Sequence, residues 1–446
     1  MDEATPHPAP RRQLTLFDST CIIVGIIIGA GFYQTTPQVA RSVGGMVPLL
    51  AVWLIGGAVA LIGALCYAEL TAAYPHDGGE YVFLTRAFGR RAGFLFAWGG
   101  FWVVRPGNIG AMAYVFARYA QQLLPLPLGR HAPAAYAVGA VVALTAINVL
   151  GVRSGKWTQN LLTATKVLGL LAVFVVGLLF APASRVATPT PVPSGSLGGF
   201  YLAMILVLFT YGGWNEISYV AAEVRDPSRN LVRALALGTG AVVVIYLLGN
   251  SAFVRALGYE GFAASKAVAA DVLRLRFGAR AAAAISALVC VSSLGALNGM
   301  ILTGARIYYA VGADHRAYAW LGKWDGRLGT PVRSFLAQAA VTLAVVIGFG
   351  LRDQGFERMV VYTAPLFWLF FLLAGASLFA LRAVEPHTPR PYRVAGYPLT
   401  PALFCLSSAF MLYASLAYAL AHRAAEAWWA IGLMAAGVLA SLGSRD

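Results

Sequence analysis

Ile22-Ile23-Val24-Gly25-Ile26-Ile27-Ile28-Gly29-Ala30-Gly31-Phe32-Tyr33 and Ile205-Leu206-Val207-Leu208-Phe209-Thr210-Tyr211-Gly212-Gly213-Trp214-Asn215-Glu216 are two apolar runs interrupted by clustered glycines. Each lies in a stretch long enough to cross about 30 Å of hydrocarbon. Glycine lacks a Cβ and weakens a helix by about 1 kcal/mol per residue, so clustered glycines make local unwinding cheap. Backbone that unwinds at membrane depth survives only where it lines a cavity. A break leaves amides free at the start of one half-helix and carbonyls free at the end of the other. The amides suit a carboxylate and the carbonyls an ammonium, so one zwitterion can satisfy both. Taken singly, either run could equally be a small-residue seam for close helix packing. Breaks at matching positions five spans apart point instead to the two halves of a repeat.

The rest of the chain agrees with a membrane setting. Of 446 residues, 59% are hydrophobic and only 11% charged, and the mean hydropathy is +0.70. A soluble domain has too little interior to hide that much apolar surface. Spans are expected at about 14–41, 47–74, 92–124, 133–151, 157–180, 200–224, 231–257, 281–311, 332–351, 358–384, 399–421 and 427–443. The alternation of a membrane β-barrel is absent. The expectation is one all-α polytopic domain of about 12 transmembrane helices behind a tail at 1–13. The Pro- and Ser-rich run Ala181–Ser196 reads as an external loop, and no signal peptide is apparent.

The net charge of +15 does not point to nucleic acid, because the basic residues sit in the connections between spans. With the N-terminus inside, the inner segments hold 19 Lys and Arg and the outer ones 11; Arg105, Arg118 and Lys166 fall within spans and complete the 33. Both termini are therefore expected in the cytoplasm of a cell-membrane protein. Cys21, Cys66, Cys290 and Cys405 lie in apolar stretches and read as free thiols. No metal-binding array, P-loop or nucleophile elbow occurs, so no metal, cofactor or enzymatic activity is expected.

Gly25-Ile26-Ile27-Ile28-Gly29-Ala30-Gly31-Phe32 resembles the first-helix motif of the amino acid–polyamine–organocation superfamily. Cys66-Tyr67-Ala68-Glu69-Leu70, followed by Gly78-Gly79-Glu80-Tyr81, looks like its second-helix motif. The chain is similar to the L-type amino acid transporter branch through Tyr211-Gly212-Gly213-Trp214-Asn215, Glu223, Asp226-Pro227, Arg229-Asn230-Leu231 and Arg233. Arg105-Pro106, Asn148-Val149, Gly151-Val152 and Pro389-Arg390-Pro391 extend the likeness through the tenth span. The resemblance implies a LeuT-type fold with broken helices 1 and 6. Its core at 14–384 would be a five-plus-five inverted repeat, about 14–180 against 200–384, with two further helices at 399–443. It also implies sodium-independent exchange of neutral amino acids by alternating access.

By this resemblance the substrate-binding residues are Ile27, Ile28, Gly29, Ala30 and Gly31 in the first break and Phe209, Thr210, Tyr211, Gly212 and Asn215 in the second. The amides of Ala30 and Gly31 would hold the carboxylate. The carbonyls of Ile27 and Phe209, with Thr210, would take the α-ammonium, and the Phe209 ring would close the site toward the outside. Animal members pair with a heavy chain through a Cys after span three; Gln121–Pro133 contains none, so a bacterial-type protein without a disulfide-linked partner is expected.

Lys166 stands on an otherwise apolar span, where a charge costs about 3 kcal/mol or more unless it is paired or hydrated. It either snorkels to the interface or, as in relatives that carry a Lys here, substitutes for a coupling sodium. Ser292, Ser293 and Asn298 are then its expected partners. Glu216 departs from the branch: it either faces the vestibule and attracts cations or reaches an interfacial Arg. Arg105 reads as packing or a buried pair in preference to a substrate contact, Glu69 as inner-end structure, and Asp18 and Ser19 as helix caps. Rival readings are a proton-coupled symporter using Lys166, a polyamine or organic-cation carrier centred on Glu216, and a non-transporting sensor.

Overall fold

The computed structural model describes residues 10–29, 31–179, 197–278, 280–350, 355–421 and 425–443. Its helices are α1 (Leu16–Ile27), α2 (Gly31–Val43), α3 (Met46–Ala73), α4 (Glu80–Phe88), α5 (Arg90–Gly99) and α6 (Arg105–Leu123). They continue as α7 (Ala132–Val149), α8 (Val152–Leu179), α9 (Leu197–Thr210), α10 (Pro227–Ala264) and α11 (Val268–Phe277). The chain closes with α12 (Arg280–Asp314), α13 (Val332–Gly350), α14 (Gly355–Val384), α15 (Leu399–Ala421) and α16 (Ala425–Gly443). Among the described residues ten helices are long and apolar enough to cross a membrane, and the pair α1 and α2, bent by 50°, makes an eleventh. The remaining expected span, 92–124, is the run α5, a π-helical turn Gly100–Val104, and α6. It carries Arg105 and Asn108 midway, which lowers its hydropathy. The expected external loop Ala181–Ser196 lies outside the described residues.

Both predicted breaks are present. Helix α1 stops at Ile27 and α2 starts at Gly31. Helix α9 stops at Thr210, and after the turn Tyr211-Gly212-Gly213 the chain runs as a 3₁₀ segment, Trp214–Glu223. The turn needs glycine: Gly213 has φ +114°, and a Cβ there would lie 2.7 Å from Ile26 Cγ2. The two breaks abut, since the Thr35 and Thr210 hydroxyls are 3.0 Å apart. Behind them Phe32, Trp53, Tyr211 and Tyr246 form one buried aromatic cluster, with Phe32 stacked on Tyr246 at 4.3 Å. Large apolar side chains such as Leu161, Leu168, Leu406 and Trp429 are exposed on the outer surface, as a lipid-facing belt requires.

Helix α1 is capped differently from expectation. Thr15 is the N-cap, its hydroxyl accepting the Asp18 N–H at 3.2 Å while the Asp18 carboxylate accepts the Thr15 N–H at 2.9 Å. Asp18 is the third helical residue, and it also binds Asn160 (2.6 Å) and Lys156 (3.1 Å). Ser19 is buried within the helix and caps nothing. Spacing marks a polar pair near a helix start but does not say which residue still has extended backbone.

Candidate functional site

A cavity of about 120 Å³ lies at the two breaks. Ile27, Gly29 and Gly31 line it from the first, and Phe209, Thr210, Gly212 and Glu216 from the second. Helix α6 contributes Asn108 and Met112, α12 contributes Met300, and α14 contributes Thr363 and Trp368. Ala30 lies outside the described residues. Tyr211 and Asn215 are not in the cavity wall. The Tyr211 hydroxyl donates to the Trp53 carbonyl (3.1 Å), and the Asn215 amide donates to Glu80 Oε1 (2.9 Å) in a smaller cavity beneath. In the 3₁₀ run after the turn, residues advance about three per turn, which points Glu216 toward the cavity and turns Asn215 away.

Unwinding α1 orphans a set of carbonyls, and their new partners define the site. The Gly29 N–H turns to the Ile27 carbonyl (2.8 Å), so Gly25 loses its helical donor. Lys166 replaces it. Its ammonium, fully buried, donates to the carbonyls of Gly25 (2.6 Å), Ile28 (3.0 Å) and Ser292 (2.8 Å). It therefore sits at the C-terminal end of α1, where a cation complements the helix dipole, and it does not snorkel. The Ser292 hydroxyl donates to the same Ile28 carbonyl at 2.9 Å. Ser293 and Asn298, expected beside Lys166, are elsewhere. Ser293 turns back to the Val289 carbonyl (2.8 Å), and Asn298 joins Asn148, Gly155 and Gln159. One residue along a helix rotates the side chain by about 100°, and six residues displace it by about 9 Å.

The Ile27 carbonyl was expected to wait for an ammonium. It accepts from both Gly29 and the Tyr246 hydroxyl (3.0 Å), which occupies its two lone pairs. The Phe209 and Thr210 carbonyls each accept one bond besides, from the Gly212 N–H (3.2 Å) and the Tyr246 hydroxyl (3.4 Å). Tyr246 thus ties the two breaks together. Nothing in its apolar surroundings, Ile245-Tyr246-Leu247, marked it in the sequence.

Glu216 does not offer a free charge. Both its oxygens accept from Arg105 Nη1, at 2.8 and 2.6 Å, and Oε2 also accepts from the Thr303 hydroxyl at 2.5 Å. Arg105 stacks on the Tyr219 ring at 4.3 Å. The cation-attracting alternative for Glu216 is corrected: its charge is already met inside the protein.

Toward the N-terminus of α1 the bundle is held by a second network. The Gln13 and Leu14 N–H groups donate to the Glu223 carbonyl (2.8 and 2.9 Å), and the Arg225 N–H donates to the Leu14 carbonyl (2.9 Å). The Glu223 carboxylate pairs with Arg306 at 2.7 Å, both side chains wholly buried. Asp77 accepts the Ala222 N–H at 3.2 Å. Glu69 pairs with Arg382 (2.6 Å) and accepts the Val394 N–H (2.7 Å), the structural role expected of it.

The amino acid permease family matches residues 14–439. The chain belongs to this family. The permease is 30% identical over 420 residues to the mouse (Mus musculus) large neutral amino acids transporter small subunit 2, covering 92% of this chain and 77% of the relative. Against the mouse b(0,+)-type amino acid transporter 1 the figures are 29% over 417 residues, 91% and 83%. The human (Homo sapiens) large neutral amino acids transporter small subunit 2 is 30% identical over 420 residues, covering 92% and 76%. The permease is thus a member of the amino acid–polyamine–organocation superfamily in its L-type branch, a multi-pass membrane transporter of amino acids and not an enzyme.

Proposed function

We propose that this permease exchanges neutral L-amino acids by alternating access without sodium. The observation that carries the reading is the Lys166 ammonium between the first break and α12: a fixed charge already satisfies the carbonyls that a coupling cation would need. The substrate carboxylate goes to the amides of Ala30 and Gly31, and its ammonium to the carbonyls of Phe209 and Thr210. The network at Glu223 is the closed inner gate, with both termini cytoplasmic. Within the five-plus-five repeat, 14–180 against 200–384, one bundle rocks against the scaffold around the fixed site, and the first and sixth helices gate it. Gln121–Pro133 holds no Cys, so the permease works without a disulfide-linked heavy chain in the cell membrane.

Counterflow in proteoliposomes loaded with a panel of unlabelled amino acids tests this. Accumulation of label that is unchanged when choline replaces sodium is the expected result. An ammonium held only by carbonyls can also release its proton, which favours proton symport as the second reading. Net uptake that follows an inward proton gradient and needs no internal amino acid would select it.

Two substitutions probe the site itself. A Cβ at Gly31 would lie 3.9 Å from Thr210, an ordinary contact, so Gly31→Ala should bind substrate nearly normally. Gly31→Val adds two methyls against the exposed amides and should abolish binding while membrane insertion persists. Equal affinity in the two variants, measured by ligand-induced thermal shift, would remove the carboxylate site from this account. Phe209 lines the cavity with 38% of its surface open. Phe209→Ala should raise leak of preloaded label more than it weakens binding, because the ring excludes water while the backbone carbonyl remains. Binding that collapses in step with flux would make Phe209 a contact and not a gate.

A further inference from the structure

Glu216 is the sole ionisable residue among the described residues in the wall of the cavity at the two breaks. The wall facing it is apolar apart from Asn108, Thr210 and Thr363. Directly beneath lies a second cavity of about 20 Å³, which shares Asn108, Glu216 and Phe367 with the first and is lined by Arg105. The carboxylate therefore stands between the substrate space and a guanidinium that is 3% exposed. Three elements hold this arrangement. The π-helical turn before Arg105 resets the helical register there. Gly304 leaves room first for the Gln338 side chain, with which a Cβ would clash outright, and then for the arginine, whose Cδ would lie 3.2 Å from it. Thr303, on the same helix, holds Glu216 Oε2.

We propose that the Arg105–Glu216 pair determines the charge selectivity of this permease. The inference rests on the amino acid exchange proposed above and names the residues that set its side-chain class. The Arg105 and Glu216 charges offset one another, and the Glu80 carboxyl that also lines the second cavity is held by Tyr67 and Asn215, so a charged side chain entering the first cavity loses hydration and meets no unpaired charge in its wall. Acidic and basic amino acids are turned away, whereas uncharged ones incur no such penalty. Removing one member leaves the other buried and uncompensated, and a substrate of the missing sign then restores the balance.

The test is competition of unlabelled glutamate and lysine against counterflow of labelled leucine, phenylalanine or alanine in proteoliposomes. Selectivity is read as a ratio to unlabelled leucine, whatever the absolute rate. Wild type should show weak competition by both. Glu216→Ala, which removes the carboxylate and opens space above Arg105, should improve glutamate relative to leucine by roughly tenfold or more. Arg105→Gln should do the same for lysine, and the double variant should return both ratios to the wild-type values. Ratios that stay at wild-type values in either single variant would make the pair a strut and overturn the assignment. So would a wild type that takes glutamate or lysine as readily as leucine, a result available even where a variant fails to insert. Absence of counterflow with any neutral amino acid in wild type defeats the exchange reading itself, and the selectivity assignment falls with it.

Discussion

Lys166→Ala is expected to remove most exchange activity while the protein still reaches the membrane. The substitution strips a donor from three carbonyls at once, and Gly25 has no helical donor to fall back on because the Gly29 N–H bonds Ile27. Leaving a buried acceptor unsatisfied costs about 1–3 kcal/mol, so a loss of roughly tenfold or more in exchange rate follows if the break moves during transport. Cavity creation adds to this, since the Lys166 side chain packs against Gly295 so closely that a Cβ added there would sit 2.7 Å from the ammonium. Binding should suffer less than flux, because the substrate space is lined by Ile27, Gly29 and Gly31 and not by Lys166. The comparison is initial exchange rate against ligand-induced thermal shift for the same preparations. A fully active variant would leave the ammonium as inert filling. Steep sodium dependence in wild type would defeat the view that Lys166 takes a cation's place.

Glu223→Gln should lower the stability of the Glu223–Arg306 network by about 3–5 kcal/mol, the usual consequence of stranding one member of a buried ion pair. Arg306 is fully buried, flanked by Phe335 and Trp324 rings at 5.2 and 5.9 Å. Its remaining acceptor is the Leu302 carbonyl (2.7 Å). The backbone around Glu223 also holds Gln13 and Leu14, so the start of α1 should loosen with it. A fall in the melting temperature of the detergent-purified protein, with faster proteolysis near Arg12, is the expected result; an unchanged melting curve would show the pair to be dispensable.

Asp77, next to the same network, should behave oppositely. Burial, and then the Glu223 charge, push its carboxyl well above the usual carboxylate range. A carboxyl raised in the folded state contributes stability that is complete below its unfolded pKa and is lost as pH rises through the folded value. Asp77→Asn mimics the neutral form. It should leave the melting temperature unchanged at acidic pH and raise it at alkaline pH, and a variant that melts lower at every pH would refute that protonation assignment.

Several features were legible from residue order because their causes are local. The two breaks follow from glycine clusters inside apolar runs, and the spans follow from hydropathy. The intramembrane Lys166 stood out because an isolated charge there must be satisfied. Pairings between helices were not legible. Arg105 meets Glu216 from 111 positions away, and Arg306 meets Glu223 from 83. Sequence spacing specifies which residues share a helix face, but the rotation and depth of one helix against another come from packing the whole bundle. That packing put the Ser292 carbonyl at Lys166 and sent Ser293 and Asn298 elsewhere. It also turned Tyr211 into the aromatic cluster and brought Tyr246 onto both breaks. The sequence by itself marked where the backbone could unwind within apolar spans, because clustered glycines make a helix cheap to break there. Which side chains would satisfy that backbone was decided only in the tertiary structure, because each orphaned carbonyl takes whatever donor the neighbouring helices bring within about 3 Å.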